Sequence, residues 1–122
     1  MFRESIALGS TLAMVETSTG EIIGSSRYAR FDPEASEVEI GWTFLVRRCW
    51  GGGHNRESKH LMLEHAFKFV DSVFFVAAST NRRSCKAIEK LGATFEWELN
   101  WPPQAENQKR SRMYRIHRES WP

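Results

Sequence analysis

Three consecutive glycines, Gly51-Gly52-Gly53, separate a segment of alternating apolar residues from one of helical period. Chemistry is most legible at that junction. The first amides of a helix have no intrahelical acceptor and lie at the positive end of its dipole. Glycine lets such a backbone approach an anion closely, so the loop can cradle a phosphate. A tight turn uses the same residues, and the segment alone favours neither reading. Two familiar phosphate loops do not fit. From Gly51 the chain reads Gly-Gly-Gly-His-Asn-Arg, without the third glycine of a dinucleotide fingerprint. His54-Asn55 stands where a nucleotide-triphosphate loop needs Lys-Ser or Lys-Thr. Arg47, Arg48, His54, Arg56 and Lys59 gather around this loop. Arg82, Arg83, Lys86 and Lys90 gather around a second helix start led by Asn81. Such clusters are either solvated basic faces or the setting for a small phosphate-rich ligand.

The elements that must position these residues follow from periodicity. Thr11 to Thr17 and Glu21 to Phe31 read as a hairpin around Ser18-Thr19-Gly20. Asp32 to Ser36 is a polar connection. Glu37 to Val46 alternates as a strand, with Val38, Ile40, Trp42, Phe44 and Val46 on one face and Glu37, Glu39, Gly41, Thr43 and Leu45 on the other. From Asn55 the period turns helical, with Met62, Ala66 and Phe69 beside Leu63, Phe67 and Val70. Ser72 to Ser79 suits a buried strand. Asn81 can cap a second helix over Arg82 to Leu91, with Cys85, Ile88 and Leu91 inward and Gly92 as its stop. Thr94 to Trp101 and Arg112 to His117 read as closing strands, joined by a long polar loop after Pro102-Pro103. The expectation is an α/β (α+β) domain over residues 1–122, with a single mixed central sheet and helices packed on it.

Composition narrows the classes. At 122 residues, 41% hydrophobic and 26% charged, the chain can build one core of its own. A formal charge of +2 is too small to argue for nucleic acid. The longest apolar run, Val73 to Ala78, is far short of a membrane span, and Met1 to Ser5 lacks the apolar stretch of a secretory signal. Cys49 and Cys85 make no disulfide framework, are expected as structural thiols, and suit the cytoplasm. His54, His60, His65 and His117 lack a ligand spacing, so no metal is expected.

From about Thr11 to His117 the chain resembles the GNAT superfamily of acyl-CoA-dependent N-acyltransferases. Two segments carry the likeness. Trp50-Gly51-Gly52-Gly53-His54-Asn55 occupies the place of the family's Q/R-x-x-G-x-G/A cofactor loop, with Trp50 and Asn55 departing from it. Asn81-Arg82-Arg83-Ser84, followed by Ala87-Ile88-Glu89-Lys90-Leu91-Gly92-Ala93, is similar to the N-x-x-S…E-K-L-G-A/F segment of ribosomal-protein N-terminal acetyltransferases. The resemblance implies acetyl-CoA as co-substrate and direct transfer to a primary amine, on a small molecule or a peptide N-terminus. It implies a strand splayed from its neighbour, with Phe44, Leu45 and Val46 bonding the pantetheine arm. Amides of Gly51, Gly52, Gly53, His54, Asn55 and Arg56 would hold the pyrophosphate, unless Asn55 serves only to cap the helix. Asn81 would bond the cofactor near the pantetheine, and Ser84 would point toward its sulfur.

By the same resemblance Glu39 is the general base, with Glu37 a poorer second choice; an ordinary strand glutamate is the plain alternative. Ser84 is the acid, because Ile88 stands where many relatives carry a tyrosine. The plain alternative for Ser84 is a bond within the first helical turn, and for Tyr114 a structural place in the sheet. The family places a first strand and one or two helices before the hairpin, and only about ten residues stand there. A missing strand would leave an open sheet edge, and a homodimer is the expectation that follows. A CoA-binding remnant without catalysis, or an interaction domain, is the competing reading.

Overall fold

The computed structural model describes residues 2–8, 11–16, 18–49, 54–102 and 106–121; side chains of 2–8, 11–12, 42–44 and 54–55 are outside that description. Seven strands form one sheet: β1 (Phe2–Leu8), β2 (Thr11–Glu16), β3 (Ile22–Asp32), β4 (Glu37–Leu45), β5 (Ser72–Ala78), β6 (Thr94–Trp101) and β7 (Lys109–His117). Helix α1 (His54–Ala66) joins β4 to β5, and α2 (Arg82–Lys90) joins β5 to β6. The sheet order is β1-β2-β3-β4-β5-β7-β6, with β4 and β5 parallel and the other neighbours antiparallel. A single mixed sheet carrying helices is therefore the architecture, as expected.

The opening residues correct one expectation. Phe2–Leu8 is a strand, paired with β2 from Phe2↔Glu16 to Leu8↔Thr11. The edge expected to stand open beside β2 is thus covered. Only residues 9 and 10 separate β1 from β2, too few for a helix.

Both helices cover one face of the sheet. Met62, Leu63, Ala66, Phe67 and Val70 meet Val38, Ile40, Val73, Phe75, Leu91 and Ile116 in the principal core. Cys85 of α2 joins Ala77 and Tyr114 in a second cluster. The α1 pattern was read one turn too far. The chain leaves the helix after Ala66, where Phe69 N–H and Val70 N–H both reach the Ala66 carbonyl, and Phe69 is 67% exposed. Strand β7 starts three residues earlier than expected, because Lys109, Arg110 and Ser111 continue the ladder to Trp101, Asn100 and Leu99. Gly92 ends α2 with φ of 99°, a left-handed geometry that glycine adopts without a Cβ penalty.

Candidate functional site

Strands β4 and β5 pair at only three positions, Glu37↔Ser72, Val38↔Val73 and Glu39↔Phe74. Beyond Glu39 they part: β4 stays with β3 through Phe44↔Ser25 and Leu45↔Gly24, while β5 stays with β7 as far as Ala78↔Ser111. The two diverging strands enclose a wedge. Helix α1 starts just after β4 and α2 just after β5, so both helix N-termini follow the parting strands. Each brings amides without intrahelical acceptors and a positive dipole end.

A small second core fixes the far end of β4. Met14, Ile23 and Cys49 are buried there, with Leu45 and Val46 packed against them. A single 3-10 turn, Arg47–Cys49, follows. Arg48 tethers it to the β2–β3 hairpin through Glu21 at 3.0 Å and Glu16 at 3.5 Å. Val46 does not offer the free backbone groups expected of it. Its N–H donates to the Ile23 carbonyl at 2.8 Å and its carbonyl accepts from Cys49 N–H at 3.0 Å, because the chain turns back toward β3 at this point. Leu45 and the backbone of Phe44 lie on the stretch of β4 that has left β5. Gly51, Gly52 and Gly53 lie outside the described residues.

The basic cluster read around the loop divides in the structure. Arg56 is exposed in the first turn of α1. Lys59 is buried beneath the helix, 4% exposed, with Nζ donating to Ser26 Oγ at 3.3 Å; that hydroxyl in turn donates to the Gly41 carbonyl at 3.2 Å. Lys59 therefore ties α1 to β3 and β4 rather than forming part of a solvated face. His54 opens α1 and Asn55 lies within its first turn, so Asn55 is not the residue that precedes and caps the helix.

At the second helix, Asn81 is the N-cap. Its side-chain oxygen accepts from Ser84 N–H at 3.2 Å, and its carbonyl accepts from Cys85 N–H at 3.1 Å. That cap sets Ser84 in the first turn, half-buried. The preceding Ser79 was missed by sequence reasoning. Its hydroxyl oxygen is buried without a hydrogen-bond partner among the described residues, at the end of β5 beside this helix start. A buried hydroxyl left unpaired is costly, and a ligand group entering the wedge can supply the missing partner.

Glu39 is the central acidic group. It is 3% exposed on the sheet face opposite the helices, at the last paired position before the strands part. Its Oε1 accepts from Arg30 Nη1 at 2.9 Å. Burial raises its carboxyl above the usual range, opposed by Arg30 and, more weakly, by Arg27. Among the described residues a Cβ built on Gly41 would come within 4 Å of Glu39 Oε2 alone, at 3.6 Å, so this oxygen lies on the Gly41 side of the carboxylate. Glu37, the second choice, is engaged elsewhere: its Oε1 accepts from Arg115 at 2.8 Å, and Arg115 also bonds Glu96 at 2.8 Å and Ser72 at 2.9 Å. Tyr114 is fully buried. Its hydroxyl donates to Glu89 at 2.7 Å and accepts from Arg112 at 2.9 Å, and burial first, then the Glu89 bond, push its pKa up to about 12. It is a sheet tyrosine of the core.

An acetyltransferase (GNAT) domain model matches residues 2–94, well over half of the chain. The chain belongs to the GNAT acetyltransferase family. No curated protein matched this GNAT domain. Among solved structures, it superimposes on a GCN5-related N-acetyltransferase from Brucella melitensis with a TM-score of 0.83 at 18% identity, covering 92% of this chain and 52% of that one. A protein from T. thermophilus described as an acetyltransferase gives 0.78 at 31% identity, covering 92% and 60%. A protein from Vibrio cholerae described as a ribosomal-protein-serine acetyltransferase gives 0.79 at 16% identity, covering 88% and 63%. The GNAT domain here thus spans between about half and two thirds of the length of these proteins. Among the described residues there is no cluster of potential metal ligands, and no helix is long and apolar enough to cross a membrane.

The structure brings Glu39, Leu45 and the backbone of Phe44 together along one edge of the wedge, and Asn81 and Ser84 at the other side. The residues present suit a coenzyme A moiety: a parted strand edge, two helix N-termini and an orphaned buried hydroxyl at Ser79.

Proposed function

We propose that this chain is an acetyl-CoA-dependent N-acyltransferase acting on a primary amine, either a small molecule or a peptide N-terminus. The single observation that carries the reading is the parting of β4 from β5 immediately after a buried carboxylate. When bound, acetyl-CoA supplies a thioester carbonyl as the acyl donor. The β4 backbone at Phe44 and Leu45 holds the pantetheine arm. Amides from Gly51 to Arg56 hold the pyrophosphate, with Arg56 available in the same turn.

Glu39 removes a proton from the acceptor ammonium, because only a neutral amine has the lone pair needed for attack. Its raised pKa brings the carboxylate nearer working pH, which makes it a better base than an ordinary glutamate. The nitrogen then forms its bond to the carbonyl carbon as the carbon–sulfur bond breaks. Ser84, half-buried in the first turn of α2, delivers a proton to the departing thiolate. Asn81 fixes the turn from which Ser84 acts.

We further propose that two copies associate and that the second supplies the acceptor wall; exposed Phe95 and Trp97 on edge strand β6 support this. We place the protein in the cytoplasm, where its two free, buried cysteines stay reduced. Thiol release from acetyl-CoA over a panel of amines and peptides tests the activity. Acceptor-dependent release is the expected result. Binding of coenzyme A with no release across the panel leaves a CoA-binding remnant instead.

A further inference from the structure

Arg30 has a backbone conformation that its residue type seldom takes. Its φ is 51°, left-handed, in a strand where the β3–β4 register slips between Ala29↔Glu39 and Asp32↔Glu37. Non-glycine residues held in this region carry strain and gather at functional sites. The irregularity has a clear local consequence. It aims the guanidinium across the helix-free face onto Glu39 Oε1, at 2.9 Å.

A second contact also holds the guanidinium. The Arg30 Cζ lies 4.7 Å from the centre of the Trp101 ring. Trp101 in turn meets Phe74 edge-on, at 6.3 Å and 86°. Phe74 is the β5 partner of Glu39. Three side chains, Arg30 of β3, Phe74 of β5 and Trp101 of β6, are therefore linked beside the one carboxylate of β4, and the end of β6 is carried across the face to reach β3. Other charges facing this region are Arg27 of β3, Glu37 of β4 and Arg115 of β7; Arg115 sits 5.4 Å over the Phe74 ring and is bonded to Glu37, Glu96 and Ser72.

The two carboxylate oxygens are thus unequal. Oε1 is gripped by Arg30, and Oε2 lies on the side of Gly41, where no side chain of that residue covers it. We infer that Arg30 is a positioning residue for Glu39, holding Oε1 from a left-handed turn braced by Trp101 so that Oε2, over Gly41, takes the proton from the acceptor amine. This rests on the acyl-transfer reading above. The proton leaves the ammonium nitrogen for Oε2, and the nitrogen lone pair so freed forms the new bond to the acyl carbon. Arg30 remains charged throughout. Its cation favours the carboxylate form, which keeps a buried glutamate competent as a base near neutral pH.

The test combines a titration with kinetics. The Glu39 carboxyl is followed by carbon-detected NMR against pH in the wild type, Arg30→Gln and Arg30→Lys, each first checked for coenzyme A binding by calorimetry. In Arg30→Gln the midpoint should rise by about one pH unit. The acid limb of kcat/KM should move with it, while coenzyme A affinity stays within about twofold. Arg30→Lys should recover most of the wild-type midpoint, because it restores a cation.

Gly41→Ala supplies an arm that does not disturb Arg30. Its new Cβ lies at ordinary contact distance from Oε2, so the fold should tolerate it, which a thermal melt checks. The methyl group narrows the approach to that oxygen, so KM for the acceptor should rise several-fold, and the Glu39 midpoint should move upward by less than in Arg30→Gln. An Arg30→Gln midpoint and acid limb that both coincide with wild type overturn the inference alone. So does a Gly41→Ala enzyme with unchanged acceptor kinetics. A wild type that binds no coenzyme A overturns the acyl-transfer reading and the role of Arg30 with it.

Discussion

Glu39→Gln separates chemistry from folding at the centre of the site. The substitution removes the base and keeps the shape, and Gln retains an oxygen that can accept from Arg30 Nη1. The folding cost is small for two reasons. Arg30 is one third exposed, so water screens the lost attraction, and the amide escapes the desolvation that raises the Glu39 pKa. A stability change within about 1 kcal/mol follows, or a Tm shift of no more than about 5 °C. The catalytic cost is much larger. Loss of a positioned general base lowers turnover by roughly 10²–10⁴, equivalent to about 3–5.5 kcal/mol of barrier.

The pH dependence carries a sign. The folded carboxyl binds its proton more tightly than the unfolded chain, so wild-type stability falls as pH rises from the usual carboxylate range to the raised folded value, then levels off. That slope should vanish in Glu39→Gln. The residual rate should climb more steeply with pH, following the fraction of acceptor already neutral in solution. Thermal melts and thiol release between about pH 6 and 9 measure both effects. Rates equal to wild type across that window would remove Glu39 from the mechanism.

Further outcomes follow from neighbouring contacts. Asn81→Ala removes the α2 cap and should cost about 0.5–2 kcal/mol in denaturant unfolding, with thiol release lowered because Ser84 loses its fixed turn. Tyr114→Phe should cost about 1 kcal/mol at neutral pH. Because the folded phenol titrates at about 12 against an ordinary 10, wild-type stability should fall between those values, and Tyr114→Phe should flatten that fall. Leu63→Ala, at a fully buried position, should cost about 2–5 kcal/mol without changing the acid limb of the rate profile. Sedimentation should show a dimer; a folded, active monomer at high concentration would remove the second copy from the acceptor wall.

Strong local periods were legible in the sequence. Alternation from Glu37 found β4, the capping residue Asn81 found the start of α2, and Gly92 found its end. Segments whose structure depends on a distant partner were less legible. Phe2–Leu8 has only weak alternation and becomes a strand by pairing with β2. Lys109 to Ser111 are polar, yet they extend β7 because β6 continues beside them. The site divides in the same way. Glu39 and Ser84 were marked by their places in recognisable segments, whereas the ion pair of Glu39 with Arg30 depends on a register slip and a left-handed residue. Charge clustering misplaced Lys59, since sequence neighbours of a loop need not share its solvent exposure once a helix turns them inward. Val46 was expected to be free at the end of a splayed strand, but the splay is from β5 alone and the β3 side keeps its claim on that amide.

In the proposed reaction coenzyme A enters the wedge between β4 and β5. Titrating coenzyme A into isotopically labelled protein and following the backbone amides tests it most directly. Saturable shifts should appear at Leu45, at His54 to Arg56, and at Ser79 to Ser84, and leave the β1–β2 hairpin unmoved. A saturating titration that moves none of these amides, or only amides elsewhere on the sheet, would exclude the wedge as the coenzyme A site.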